Sequence, residues 1–84
     1  MKELEGVIKM LDEILEERGV PKNIKRAIQE SKNYLMNGEM QPEVKISAAI
    51  HCLDEITNDP NMPIYVRTKV WNIMSILEQI RSRL

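Results

Sequence analysis

Two acid pairs, Asp12-Glu13 and Asp54-Glu55, stand forty-two residues apart in this 84-residue chain. Paired carboxylates are the groups that general acid–base chemistry uses, and di-iron bundles set Glu-x-x-His on their helices. No His lies three residues beyond Asp54 or Glu55, so the di-iron signature fails. Near the ends of their helices, these acids are expected to bond backbone or the basic side chains of the next hairpin, with Lys25 and Arg67 as natural partners. His51 and Cys52 are the only residues of their kinds. Helical neighbours point about 100° apart and cannot share a metal. A structural zinc wants four such ligands, and no second His, CxxC or HExxH exists here. Cys52 therefore reads as a small buried hydrophobe. There is no Gly-rich phosphate loop and no nucleophile elbow. No catalytic residue, metal, cofactor or small-molecule substrate is expected, and the chain does not read as an enzyme.

The basic residues suggest a different chemistry. Lys22, Lys25, Arg26 and Lys32, joined by Arg67 and Lys69, could form a surface for RNA, DNA or an acidic protein. Against this, Lys+Arg number 12 and Asp+Glu 13, a net charge of −1. A dedicated nucleic-acid binder usually carries a clear basic excess, since its affinity comes from neutralising phosphates. The segment from Glu17 to Ile28, with Gly19-Val20 at a turn and bases after it, resembles part of a helix-turn-helix. It departs where Arg18 and Lys25 replace apolar residues and Leu15 replaces a small one.

These side chains must be positioned by helices. Apolar residues recur at three and four at Leu4, Val7, Ile8, Leu11, Ile14 and Leu15, and again at Ile24, Ala27, Ile28, Ser31, Tyr34 and Leu35. Ile46, Ala49, Ile50, Leu53 and Ile56 form a third stripe. Val66, Val70, Ile73, Met74, Leu77, Ile80 and Leu84 form a fourth. Pro21, Pro42 and Pro63 each suit a first helical turn, where a missing N–H costs nothing. Gly19, Gly38 and the turn Asn58-Asp59-Pro60-Asn61 separate the stripes, with Asn and Asp bonding their own backbone. No strand alternation is visible.

Shifting the chain by forty-two residues lays Ile8 on Ile50, Leu11-Asp12-Glu13-Ile14 on Leu53-Asp54-Glu55-Ile56, Pro21 on Pro63 and Leu35 on Leu77. The chain reads as two related hairpins, 1–37 and 42–84, in one domain. Short connections favour antiparallel neighbours, so the expected architecture is all-α, an up-and-down four-helix bundle. The period also suits HEAT-type repeats, which leaves an open pair of hairpins as the alternative.

The halves differ instructively. Lys22 is replaced by Ile64, Gln29 by Trp71, Lys32 by Met74 and Lys9 by His51. Residues 46–53 and 70–77 carry no charge, although a surface helix should keep a polar face. Either the third and fourth helices are simply the more central pair, or they form a homodimer interface using Ile64, Trp71, Met74, Ala48 and His51. The acidic first helix and the basic second and fourth could equally satisfy one another within the chain. Eight-residue apolar runs fall far short of the ~18 residues of a membrane span. The lone Cys52, with a charged start at Lys2-Glu3, suggests a reducing cytoplasm.

The segment Leu53-Asp54-Glu55-Ile56-Thr57-Asn58-Asp59-Pro60-Asn61-Met62-Pro63, followed by Arg67-Thr68 and Trp71-Asn72-Ile73, resembles a small archaeal family of unknown function, uncharacterised protein family 0147. The first half, with Val20-Pro21 and Asn23-Ile24, fits more loosely. The resemblance implies a compact helical bundle in an archaeal cytoplasm and brings no activity, cofactor or catalytic residue with it.

Overall fold

Each apolar stripe becomes one helix. The computed structural model describes residues 2–84 and contains α1 (Lys2–Glu16), α2 (Lys22–Met36), α3 (Pro42–Ile56) and α4 (Ile64–Ser82). Among the described residues, no helix is long and apolar enough to cross a membrane. α1 ends at Glu16, with the Glu17 N–H bonded to the Ile14 carbonyl at 3.1 Å. Gly19 then takes φ +81, the left-handed turn that favours glycine after a helix. Pro42 is the first residue of α3, whereas Pro21 and Pro63 stand one place before their helices as caps.

Four seams hold the bundle. α1 packs on α2, α2 on α3, α3 on α4, and α4 on α1, while among the described residues the backbones of the diagonal pairs are not adjacent. This closed ring replaces the alternative of an open HEAT-like pair, which would lack the α1–α4 seam. The body measures 34 × 20 × 19 Å, and a 19-residue helix spans ~28 Å, so all four helices run along its length. Asn23 at the start of α2 bonds Asp59 in the α3–α4 loop, at 2.8 Å. Glu3 at the start of α1 pairs with Arg83 just after α4. The first and third loops therefore share one end, and the chain ends lie at the other. The α1–α2 junction is an antiparallel hairpin rather than the steep crossing of a helix-turn-helix.

One apolar cluster runs through all four helices. Leu11, Leu53, Ile24, Val66, Ile28, Val70 and Leu77 are wholly buried in it. Ile8 and Leu15 lie at its edge, and Tyr34 and Leu84 are exposed. Leu84 misses the core because α4 stops at Ser82.

The α3–α4 loop is braced from within. Asp59 accepts the Asn61 N–H and the Asn23 amide, each at 2.8 Å. Its carbonyl accepts an Arg67 Nη at 2.7 Å. The Asn61 N–H, then Asn23 and the Arg67 charge, hold the Asp59 carboxyl below its usual range. A depressed carboxylate stabilises above its unfolded pKa of ~3.9 and loses that contribution as pH falls through the folded value. Asp59→Ala is therefore expected to melt at a lower temperature than the parent at pH 7. Thermal melts should show that gap closing below pH ~4.

Candidate interaction surface

The paired acids do not converge. Asp12 and Glu13 lie on α1, Asp54 and Glu55 on α3, and these helices stand diagonally across the core, their backbones not adjacent. Asp12 pairs with Lys32 at 2.6 Å, not with Lys25. In an antiparallel hairpin, Lys25 lies nearer the turn, past the level of Asp12. Lys32 starts farther away, but its side chain leans back toward the start of α2 and so reaches the acid. Arg67 turns to the Asp59 carbonyl instead of an acid pair. Glu55 comes within 3.8 Å of the exposed His51 on its own helix. The Asp54 side chain makes no bond among the described residues; its carbonyl accepts the Thr57 hydroxyl at 2.8 Å. Glu13 lines an open groove with Glu16, Glu17, Arg18 and Lys69.

His51 and Cys52 diverge as helical neighbours should. His51 faces solvent, while Cys52 is buried at the α2–α3 seam. Burial, then the charges of Glu30 and Glu55, push the thiol upward, against a hydrogen bond with Ser31. A raised thiol is mostly protonated at neutral pH and a poor nucleophile.

The six candidate bases split into two groups. Lys32 is bound to Asp12, Arg67 to the Asp59 loop, and Lys69 to Glu17 at 3.0 Å. The Glu17 hydrogen bond raises the Lys69 pKa. Lys22, Lys25 and Arg26 make no ion pair among the described residues and stand in the first turns of α2. Much of the helix-to-helix charge contrast is thus satisfied inside the chain.

The two charge-free runs also separate. Along α3 the chain covers its own run: Ile46, Ala49, Ile50, Cys52 and Leu53 are buried, Ser47 and Ala48 half-buried, and His51 exposed. Along α4 it does not. Ile64 is 77% exposed and Trp71 55%, with Thr68, Asn72 and Ser75 exposed beside them. Met74 is half-buried against the core. Ile64, Thr68, Trp71 and Ser75 recur at four, three and four, which sets them along one outward strip. Lys69 interrupts the sequence but not the strip, because it turns aside to Glu17. Tyr65, half exposed, donates its hydroxyl to the Arg18 carbonyl at 3.3 Å. Sequence spacing gives no sign of that tie, which joins residues forty-seven apart.

Thr68 and Trp71 of this strip also belong to the residues that carried the family resemblance. The model of an uncharacterised protein family, UPF0147, matches residues 1–80. The chain belongs to the UPF0147 family. UPF0147 relatives occur in archaea. UPF0147 protein MJ1419 of Methanocaldococcus jannaschii is 46% identical over 78 residues, 93% of this chain and 84% of that protein. A UPF0147 protein of Methanothermobacter thermautotrophicus is 49% identical over 76 residues, 90% of this chain and 74% of its own length. A solved structure of a protein of unknown function, MMP1188, matches with a TM-score of 0.87 and 46% identity. It covers 90% of this chain and 86% of that one. That likeness supports the compact all-α arrangement described above.

Proposed function

We propose that this protein is a non-enzymatic self-association module, a homodimer built on the outer face of α4. One observation carries the reading: Trp71, more than half exposed, stands on an uncharged strip with the exposed Ile64. A solvated helix normally keeps charge on its outer side, and Trp and Met are enriched where proteins meet. A long side of the bundle, 34 by 20 Å between Cα atoms, also approaches the ~800 Å² that each partner gives to a standard interface. The lone cysteine, Cys52, favours a reducing, cytoplasmic setting, since small domains of oxidising compartments usually carry several for disulfides.

Light scattering on a sizing column tests this. The expected mass is twice 9.8 kDa, the same at low and high salt. Trp71→Ser should raise the dissociation constant at least about thirtyfold, the mark of a central aromatic anchor, with the melting temperature of the monomer hardly changed. A parent protein that stays monomeric at tens of micromolar overturns the reading. Excess absorbance at 260 nm that high salt removes would instead favour nucleic acid at Lys22, Lys25 and Arg26. Loss of that binding in the Lys25→Glu, Arg26→Glu double variant, with the fold intact, would secure it.

A further inference from the structure

The outer face of α4 differs from one end to the other. Arg67, Met74 and Glu78 fall on its flank toward α3, by the 100° step of the helix. Arg81 marks the same flank, since it reaches Ser47 of α3 at 3.3 Å. Thr68, Trp71 and Ser75 run along the middle. Glu78 is the one acid of α4, is exposed, and makes no ion pair among the described residues. Arg67, eleven residues earlier, is only partly satisfied. A guanidinium offers five N–H donors. Here one Nη–H reaches the Asp59 carbonyl, and the buried Nε has no partner among the described residues. Arg67, whose charge also faces Asp59, keeps N–H donors to spare; it and Glu78 have opposite sign and lie ~16 Å apart along one flank.

We infer that a second copy of this chain lies antiparallel across α4, about a two-fold axis midway between Arg67 and Glu78. The inference rests on the self-association reading. A two-fold axis brings the same flank of both copies together, so each Arg67 meets the partner's Glu78. Trp71 then lies opposite the partner's Met74, beside the axis, where sulfur and ring make a favourable contact. A parallel pair would instead set Arg67 on Arg67, Glu78 on Glu78, and the two helix dipoles side by side in one direction.

Cysteine cross-linking reads the direction directly. Arg67→Cys and Glu78→Cys chains are oxidised mildly, each alone and as a mixture, with the parent as background because its Cys52 is buried. Antiparallel packing about this axis brings position 67 level with the partner's position 78, within disulfide reach. It leaves position 67 ~16 Å from itself along the axis. The mixture is expected to cross-link at least ten times faster than either variant alone. Glu78→Arg should raise the dissociation constant about tenfold, and adding Arg67→Glu should recover part of that loss. Faster linkage of the single variants indicates parallel helices and overturns the pairing while self-association stands. A dimer by light scattering that forms no cross-link in any combination overturns it as well. A monomer defeats the underlying reading itself.

Discussion

Leu53→Ala is expected to cost about 3–5 kcal/mol and to leave much of the chain unfolded at moderate temperature. Leu53 is wholly buried on α3, the helix that packs against α2 on one side and α4 on the other. Three carbons removed there leave a void lined by two neighbours that cannot both move in. Domains of this size are marginal, with total stabilities of about 5–15 kcal/mol. Leu11, its counterpart forty-two residues earlier, is equally buried, but it stands on α1, which buries four residues where α3 buries six. Leu11→Ala should therefore cost less, because α1 is freer to settle inward. Urea titrations decide it: the midpoint should fall further for Leu53→Ala, with the slope unchanged. Equal midpoints would mean that α1 is held as rigidly as α3.

Ser31→Ile is expected to destabilise by about 1–3 kcal/mol, although the equivalent place in the second half is Ile73. Ser31 is fully buried where α2 meets α3. Its hydroxyl donates to the Ala27 carbonyl at 2.9 Å and also approaches the Ala49 carbonyl at 3.4 Å. A small residue facing alanine lets the two helices approach closely, and α2–α3 is the most extensive seam of the ring. A branched side chain would push them apart. Ser31→Ala keeps the volume and loses only the hydroxyl contacts, so about 1 kcal/mol or less is expected. Thermal melts of the two variants separate the causes: a larger loss for isoleucine identifies close approach, and a larger loss for alanine identifies the hydrogen bond.

The helices were legible because burial follows periodicity. Val7, Leu11 and Ile14, or Val66, Val70, Ile73 and Leu77, can share a side only if the chain coils. The ring was less legible, since stripes show that faces are covered but not whether α1 reaches α4. Charge partners were misread for a related reason. Asp12 to Lys32 depends on axial level and on the lean of a long side chain, neither of which spacing along one helix encodes. The Asn23–Asp59–Arg67 brace links residues thirty-six and eight apart through amide and carbonyl groups and has no compositional mark. For the candidate surface, the sequence showed two uncharged runs and could not say which the chain covers itself. α3 sits in the largest seam and covers its own, while α4 keeps Trp71 and Ile64 outside.

The α1–α4 seam closes the ring, and it also sets where the ring opens. It joins the ends of the chain, so its contacts have the longest sequence separation and the largest loop-closure cost. It is also the least extensive of the four. At its margins it relies on Glu17–Lys69, Glu3–Arg83 and the Tyr65 hydroxyl, all at the surface, where ion pairs contribute little. Of the two helices that meet there, α1 buries four residues and α4 five, so α1 is the less firmly held. In native-state hydrogen exchange, the amides of α1 would form the least protected unit of the bundle. Those of α2 and α3 would exchange only when the whole fold is lost.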